Sequence, residues 1–358
     1  MTHRLMVVSG FLGSGKTTAI TAIGKMLISH GKRVGVITND QGANLVDTNY
    51  IKNEGMRVFE ITDGCFCCSF DAFTQKLKDL TEDEMPDIIL AEPIGSCINL
   101  VATIFKPIMN NYTNNFNLAP LSVVADPKRV KRMMTDSGSF KNEINYMFDQ
   151  QLSEADVILL NKTDILSDAD VSELTNYLSV KYSPAQVLPI SAAKNIGIDI
   201  WYDLVSNAVA VDKPSPDIDY AIYSLAESSL AWNSYFATLE SNETTDFNVV
   251  IEDAINNIRH NLGKNEIAHL KVYAVSSYDF AKAGLTSTDG EINFNQRLTQ
   301  NASKINLIVN ARVECTPENL KTAVKNGLND VFSKYNLTAS AEKSECYSPN
   351  YTMPTCRF

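Results

Sequence analysis

The feature that most constrains this chain is a glycine-rich segment that follows a short apolar run and precedes a helix-like stretch. The segment Gly10-Phe-Leu-Gly-Ser-Gly-Lys-Thr17 fits the pattern GxxxxGK[ST] throughout. Its glycines allow backbone N–H groups to wrap around phosphate oxygens, and the N-terminus of the next helix adds partial positive charge. The pattern therefore predicts a phosphate-binding loop between a first strand and a first helix.

Two side chains of this loop have predicted roles in nucleotide binding. We expect Lys16 to reach the β- and γ-phosphates and the hydroxyl of Thr17 to bind Mg²⁺. The residues expected to line the phosphate site are Gly10, Gly13, Ser14, Gly15, Lys16, Thr17 and Thr18.

Up to about residue 210, short β-branched apolar runs alternate with longer amphipathic stretches. Strands are predicted at residues 5–8, 33–38, 58–61, 87–90, 121–125, 157–160 and 187–190, and helices at 17–29, 71–81 and 169–182. Strands that are covered on both faces have such nearly continuous apolar sequences. The pattern predicts an α/β fold with a doubly wound, mostly parallel sheet of the P-loop NTPase kind.

A proline-containing stretch at residues 211–217 interrupts this alternation and is predicted to be a linker. The predicted domains are a nucleotide-binding domain at 1–210, a smaller α+β domain at 218–343 and an irregular tail at 344–358. Within the second domain we predict a strand near 220–225, a helix near 247–262, strands at 268–275 and 304–313, and a helix at 317–335. This order is compatible with a split βαβ arrangement.

The segment Asn161-Lys-Thr-Asp164 directly follows a predicted strand. The carboxylate of Asp164 could accept hydrogen bonds from N1–H and the 2-amino group of guanine, a pair of donors that adenine lacks. A site of this kind predicts preference for GTP, with Asn161 and Lys162 beside the base. Ser191 and Ala192 follow the next strand and are expected to pack around the same base.

Glu92 ends a buried strand, and Gly95 lies three residues further on. An acidic residue at this place holds the metal or positions water in P-loop enzymes. The alternative is that Glu92 only caps its strand. We expect Gly95 to let the backbone approach the γ-phosphate and act as a switch.

Three cysteines, Cys65, Cys67 and Cys68, lie within four residues of one another after a predicted strand. Thiolates bind Zn²⁺, Cu⁺ or Co²⁺ far better than Mg²⁺, so the cluster predicts a transition-metal site. A redox pair and three small loop residues are the alternatives. Cys97, close to Gly95, is either an additional ligand or a small buried apolar residue.

Composition narrows the class of partner. With 31 basic and 42 acidic residues the formal net charge is −11, which disfavours general nucleic-acid or membrane-surface binding. No apolar run approaches the roughly 18 residues that a membrane-spanning helix needs. The first apolar run is needed as a strand, and the clustered cysteines do not resemble a secreted disulfide framework. A cytoplasmic protein is therefore expected.

Taken together and in order, these motifs resemble those of the CobW/HypB/UreG family, in particular its CobW-like branch. The matching segments are the phosphate loop, Asn39-Asp-Gln-Gly42 followed by Asp47, Gly64-Cys-Phe-Cys-Cys68, Glu92-Pro-Ile-Gly95 and Asn161-Lys-Thr-Asp164. The resemblance covers about residues 4–205 and implies GTP hydrolysis to GDP and phosphate, with Asp47 and Glu92 serving Mg²⁺ and the switch. It also implies that the cysteines form a metal site coupled to the nucleotide, and it admits a homodimer. Where the family usually has Asn-Glu-Phe-Gly, this chain has Asp40 and Gln41, and it lacks a histidine-rich tract.

The leading functional hypothesis is a GTP-hydrolysing metallochaperone for zinc or cobalt that serves a client metalloprotein. The alternative is a GTPase chaperone for a corrinoid protein or the cobalamin pathway. A P-loop kinase acting on a small molecule fits less well, because phosphoryl transfer to a metabolite needs neither the guanine motif nor the cysteine cluster.

Overall fold

The computed structural model describes residues 2–39, 46–61, 65–66, 69–135, 137, 140–349 and 354. These residues form two compact units. The first contains residues 2–39, 51–224 and 354, and the second contains residues 46–50 and 225–349. The change from the first unit to the second at Ser224 lies downstream of the predicted linker.

Strands and helices alternate up to about residue 210, as predicted, and a further helix follows at residues 220–229. In chain order they are β1 (His3–Ser9), α1 (Lys16–Ser29), β2 (Val34–Asn39), α2 (Val46–Asn53), β3 (Arg57–Ile61), α3 (Phe70–Glu84), β4 (Ile88–Glu92), a π-helical turn (Val101–Phe105) leading into α4 (Lys106–Asn111), β5 (Phe116–Leu118), β6 (Ser122–Ala125), α5 (Pro127–Met134), α6 (Asn142–Ser153), β7 (Val157–Leu160), a 3₁₀ turn (Thr163–Ile165), α7 (Asp168–Lys181), β8 (Gln186–Pro189), α8 (Ile198–Asn207) and α9 (Tyr220–Ser229).

In the first unit, eight strands of the described chain form one sheet in the order β3-β2-β4-β1-β6-β7-β8, with β5 also paired to β1. Every strand pair in it is parallel. The predicted strands and the doubly wound parallel sheet are confirmed. Because the strands are parallel, their carboxyl ends share one edge, where loops can converge on a ligand.

Both faces of this sheet are covered. Met6 and Val8 on β1 join a buried cluster that includes Ile20 and Ile23 of α1 and Trp201 of α8. The intervening β1 residues are also fully or almost fully buried. This two-sided burial explains why the strand sequences are continuous apolar runs and do not alternate with polar residues.

The second unit contains a six-stranded antiparallel sheet and two helices. Its elements are β9 (Leu230–Thr245), α10 (Phe247–Leu262), β10 (Ile267–Val275), β11 (Phe280–Leu285), β12 (Asn293–Gln296), β13 (Ala302–Glu314), α11 (Pro317–Lys334) and β14 (Thr338–Tyr347). The strand order is β12-β11-β10-β13-β9-β14. Strand β13 thus separates β9 from β10, and β9 separates β13 from β14, so the predicted split βαβ arrangement is confirmed. Helices α10 and α11 pack against each other and share one core with the sheet.

Two predictions for the C-terminal half are wrong. The strand near 220–225 is instead the start of α9, because the Asp219 carboxylate accepts from the backbone N–H groups of Ala221 and Ile222 and caps a helix there. Tyr223 and Ala226, three residues apart, are buried on one face of that helix. Residues 344–347, predicted to be irregular, extend β14 because the long strand β9 offers them a pairing partner.

None of the helices in the described part of the chain has both the length and the apolar composition needed to cross a bilayer.

Candidate nucleotide site and adjoining loops

The glycines of the phosphate loop occupy positions that other residues could not. Gly10 and Gly15 have φ angles of 139° and 98°, in the left-handed region. A Cβ atom on Gly10 would lie 2.3 Å from the Val124 carbonyl oxygen, and one on Gly15 would lie 2.4 Å from the Asn161 amide nitrogen. The loop is therefore pressed against the ends of β6 and β7 along its backbone.

The lysine of the loop folds back across it. Lys16 begins α1, is largely buried, and its Nζ donates to the Gly10 carbonyl at 2.9 Å and to that of Phe11 at 3.4 Å. The hydroxyl of Ser14 is fully buried and has no hydrogen-bond partner among the described residues. Since an unpaired buried hydroxyl is costly, this position fits a ligand oxygen supplied from outside the chain.

The end of β4 meets the start of α1. The Thr17 hydroxyl donates to the carboxylate Oε1 of Glu92 at 3.0 Å, and both side chains are buried. A Cβ atom on Gly95 would lie 3.0 Å from the Lys16 Nζ and 2.7 Å from the Leu12 side chain. A hydroxyl next to a carboxylate is an oxygen donor set that Mg²⁺ prefers, so Thr17 and Glu92 fit that ion.

The guanine motif is joined to the phosphate loop and to the loop after β8. The Asn161 side-chain amide donates to the Ser14 carbonyl at 2.9 Å, and its oxygen accepts from the Ala192 N–H at 3.0 Å. The Ser191 hydroxyl donates to the Asp164 carboxylate at 2.6 Å, while Asp164 itself is exposed. This places an accessible acceptor beside three loops that come from distant parts of the sequence.

An acidic residue that the sequence analysis missed holds the lysine of this motif. The Lys162 Nζ donates to the Gly13 carbonyl at 2.9 Å and forms an ion pair with Asp126 at 2.6 Å. Asp126 caps α5 by accepting from the N–H groups of Lys128 and Arg129. Burial alone would raise the pKa of Asp126, but Lys162, Arg129 and these hydrogen bonds hold that pKa below its ordinary value. An aspartate between a strand and a proline was the available sign of a helix cap.

Asn39 at the end of β2 is bonded to the end of β3 and to Phe66. The Asn39 amide donates to the Ile61 carbonyl and its oxygen accepts from the Phe66 N–H, each at 2.9 Å. Cys65, next to Phe66, is buried. Asp40, Gln41, Gly42, Gly64, Cys67, Cys68 and Cys356 lie outside the described residues.

Cys97 lies beyond the Glu92 motif and only 1% of its surface is exposed. The side-chain amide nitrogen of Gln151 donates to the carbonyl oxygens of both Gly95 and Cys97, at 2.9 Å each. Among the residues that the structure describes, no group of three or more histidine, cysteine, aspartate or glutamate side chains forms a metal site. The cysteine ligand set thus stays a prediction.

Asp47, predicted to serve Mg²⁺, lies in the second unit. Its carboxylate forms ion pairs with Lys271 and with Lys282, the latter at 3.2 Å. Burial opposes the charged form, but the two lysines, with a smaller effect of His269, hold the pKa of Asp47 far below its ordinary value. The preceding N–H, that of Val46, donates to the Asn310 side chain at 3.1 Å. Because both oxygens of the Asp47 carboxylate are paired with lysines, this arrangement does not fit a magnesium ion. The role of Asp47 as a magnesium ligand stays a prediction.

The sequence of the first unit matches one family. The sequence profile of the CobW/HypB/UreG nucleotide-binding domain matches residues 4–189, which is more than half of the chain. The chain belongs to the CobW/HypB/UreG family. The resemblance stated from the motifs is confirmed, and within this family residues 4–189 form the nucleotide-binding domain.

Named relatives in the family include two bacterial zinc chaperones. The zinc chaperone CobW of Sinorhizobium sp is 29% identical over 198 residues, which cover 49% of this chain and 55% of that protein. The zinc chaperone YeiR of Escherichia coli K12 is 31% identical over 167 residues, which cover 45% and 47% of the two chains. The chain spans about half the length of the curated relatives that it matches.

Solved structures with related folds are more distant in sequence. The hydrogenase maturation factor HypB from Archaeoglobus fulgidus has a TM-score of 0.40 at 16% identity, covering 57% of this chain and 89% of that one. The Zn(II)-bound YjiA GTPase from E. coli has a TM-score of 0.39 at 16% identity, covering 91% and 99%. Membership of the family rests on the sequence profile and not on these matches.

The structure thus brings most of the predicted nucleotide residues to one edge of the first sheet. These are Gly10, Gly13, Ser14, Gly15, Lys16, Thr17, Glu92, Gly95, Asn161, Lys162, Asp164, Ser191 and Ala192. The supporting residue Asp126 was not predicted from the sequence.

Proposed function

We propose that this chain is a GTP-binding and GTP-hydrolysing metallochaperone whose nucleotide cycle controls a thiolate-bound zinc or cobalt ion. The observation that carries the proposal is the contact of the guanine motif with the phosphate loop, through Asn161 to Ser14 and Lys162 to Gly13. A guanine-reading carboxylate at Asp164, in a motif bonded to the phosphate loop, would favour GTP as the ligand. The zinc-chaperone names of its relatives support the metal as cargo.

In this proposal Lys16 and the backbone of the phosphate loop bind the β- and γ-phosphates of GTP. Thr17 and Glu92 would hold Mg²⁺, which supplies charge neutralisation at the phosphate oxygens. Asp47 is the third predicted ligand, but only once it leaves Lys271 and Lys282. Hydrolysis adds water across the terminal phosphoryl bond and yields GDP and phosphate, with Glu92 and Gly95 next to that phosphate.

The metal ion is the cargo in this account. Cys65, Cys67 and Cys68 would be its thiolate ligands, with Cys97 as a possible fourth, and a client metalloprotein would receive it. The burial of Cys65 disfavours an exposed redox thiol at that position. A low-exposure thiolate site that opens with the nucleotide state would suit transfer better than permanent binding.

Base recognition provides the sharpest test of the nucleotide assignment. An Asp164→Asn variant presents an amide that repels the guanine donors but can donate to the 2-oxo group of xanthine. We expect GTP affinity to fall by about a hundredfold or more, because the N1–H and 2-amino donors of guanine lose the carboxylate that accepts from them. Affinity for xanthosine triphosphate should rise, and Asp168→Asn, an exposed position in the first turn of α7, serves as the control.

Isothermal titration of both variants with GTP, ATP and xanthosine triphosphate separates the outcomes. Exchange of GTP preference for xanthosine triphosphate preference in Asp164→Asn alone supports the proposal. Equal GTP and ATP affinity in the unmodified chain, or an unchanged profile in the variant, would refute guanine recognition. GTP consumption only in the presence of a small-molecule acceptor would indicate a kinase.

A further inference from the structure

A single side-chain amide connects the phosphate side of the first unit with Cys97. The Nε2 group of Gln151 has two N–H donors, and the Gly95 and Cys97 carbonyls each accept from it at 2.9 Å. Both carbonyls belong to the segment that follows Glu92. One rigid group therefore fixes the spacing and orientation of two backbone positions at once.

The Gln151 side chain is held in place by the buried face of its helix. It lies in α6, its side chain is 98% buried, and its neighbours Phe148 and Leu152 are part of the buried interior. Its Oε1 atom has no hydrogen-bond partner among the described residues. Both hydrogen bonds of this buried amide are therefore made to the backbone of residues 95–97, and its oxygen makes none among the described residues.

The Gly95 end of this connection touches the phosphate loop. A Cβ atom on Gly95 would approach the Lys16 Nζ to 3.0 Å and the Leu12 Cα to 3.2 Å, so the Gly95 backbone is packed against the loop. A ligand phosphate that shifts the loop at Leu12 and Lys16 would press on the Gly95 backbone, because that backbone lies directly against the loop. The Gly95 carbonyl then shifts relative to Gln151.

The backbone that follows Cys97 is held by Glu154, which lies at the end of the same helix. The Glu154 carboxylate accepts from the N–H groups of Asn99 and of Val101, the latter at 2.9 Å. Asn99 has a left-handed φ of 62° and its amide donates to the Tyr220 hydroxyl at 2.7 Å. The backbone on the far side of Cys97 is thereby fixed, so motion from Gly95 is concentrated at residues 95–98.

We propose that Gln151 is a positioning residue that couples the phosphate site to Cys97. This inference deepens the proposed function, on which it rests. When Gly95 moves with the state of the nucleotide, the shared amide either carries the Cys97 carbonyl with it or releases it. In both cases the exposure and direction of the Cys97 thiol follow the nucleotide.

The test compares Gln151→Met with Gln150→Met. Methionine has a similar length to glutamine and no N–H donor, and Gln150 is the adjacent, half-exposed residue of the same helix. The readout is the rate at which iodoacetamide alkylates Cys97, resolved by peptide mass spectrometry, with GDP and with a non-hydrolysable GTP analogue.

In the unmodified chain and in Gln150→Met, we expect the alkylation rate of Cys97 to differ between the two nucleotides. In Gln151→Met we expect a rate raised by about tenfold, as for the loss of one to two net hydrogen bonds, and equal with both nucleotides. A nucleotide-dependent rate that is the same in both variants would overturn the proposal. So would a rate in the unmodified chain that does not respond to nucleotide.

A second measurement follows the Gln151 side-chain amide directly by nuclear magnetic resonance. In protein selectively labelled with ¹⁵N-glutamine, the side-chain N–H signals of Gln151, assigned by their loss in the Met variant or by through-space contacts to Cys97, should exchange slowly with GDP and shift with the analogue. Fast exchange in both states would contradict the two hydrogen bonds that the Gln151 amide donates. If titration shows that neither nucleotide binds, the proposed function fails, while the clamp is still judged by Cys97 alkylation of the two variants without nucleotide.

Discussion

At the scale of single residues, the candidate nucleotide site contains two kinds of side chain. Some would contact the nucleotide, and others form hydrogen bonds with the backbone of the phosphate loop. Asn161 and Lys162 are bonded to carbonyls of the phosphate loop, and Asp126 holds Lys162 in turn. These contacts pre-form the base site, because the lysine cannot rotate away without leaving a buried carboxylate unpaired.

The Asp126 contact predicts a loss of nucleotide affinity in Asp126→Asn. The amide keeps the size of the side chain and can still accept at the helix cap, but it loses the ion pair with Lys162. We expect GDP to bind about tenfold more weakly, with dissociation accelerated, since charged hydrogen bonds of this kind are worth roughly 1.5–3 kcal/mol. The control is Asp170→Asn, which removes the exposed pair with Lys131 on the same helix. Stopped-flow release of a fluorescent GDP analogue measures both, and equal effects of the two substitutions would contradict this role.

Glu154 predicts a pH dependence of stability. Burial raises the pKa of Glu154 to about 7, although Lys213 and the N–H groups of Asn99 and Val101 favour its charged form. The folded chain therefore binds a proton that the unfolded chain, with a pKa near 4.5, has lost. The contribution of Glu154 to the free energy of unfolding is fully present below pH 4.5 and is lost as the pH rises through 7. The change is on the order of 3 kcal/mol.

Thermal unfolding at pH 5 and pH 8 measures this effect. The unmodified chain should lose more stability between these values than Glu154→Gln does, while Glu143→Gln on the same helix should behave like the unmodified chain. Parallel pH responses in all three proteins would show that Glu154 does not titrate in this range.

At the scale of elements, the start of α2 behaves as part of the C-terminal sheet. Val46 and Tyr50 pack with Tyr273 and Ile308, and the Lys282 Nζ lies 3.9 Å from the centre of the Tyr50 ring. With the two ion pairs of Asp47, these contacts bind a five-residue segment through both apolar and charged groups.

Removal of one lysine should loosen that segment. In Lys282→Met the apolar stem is kept, but Asp47 and Tyr50 each lose a cation, so we expect amide hydrogen exchange in residues 46–50 to accelerate by about tenfold or more. The control is Lys304→Met, because the Lys304–Glu240 pair on the same sheet is exposed and contributes little. Hydrogen-exchange mass spectrometry of a peptide that contains residues 46–50 measures this rate. Exchange equal to that of the control would show that Lys282 does not hold the segment.

The sequence predicted the elements whose patterns are local. Continuous apolar runs identified the parallel strands, and the glycine spacing identified the phosphate loop. Strand β9 was missed because its first four residues, which include the polar Asn233 beside Trp232, are all buried, and burial alternates only from Ser234 to Leu239. The partners of Asp47 lie 224 and 235 residues away, so no local pattern could reveal that its carboxylate is bound to lysines.

At the scale of the whole molecule, the chain contributes to the second unit twice, first with residues 46–50 and then from residue 225 onward. The nucleotide-binding domain of the family, residues 4–189, covers most of the first unit. The short early segment lies in sequence between the end of β2 and the remainder of the first unit.

The most direct test of the central claim is a titration of the reduced, metal-free chain with Co²⁺ and Zn²⁺, with and without a non-hydrolysable GTP analogue. Thiolate–cobalt absorption and metal affinity are the readouts, and Cys315→Ser is a control for the double variant Cys65→Ser, Cys67→Ser. The account predicts thiolate binding of one metal ion, an affinity that shifts with the nucleotide, and loss of both in the double variant alone. Absence of metal binding in either nucleotide state would contradict the metallochaperone proposal and favour the corrinoid-protein alternative.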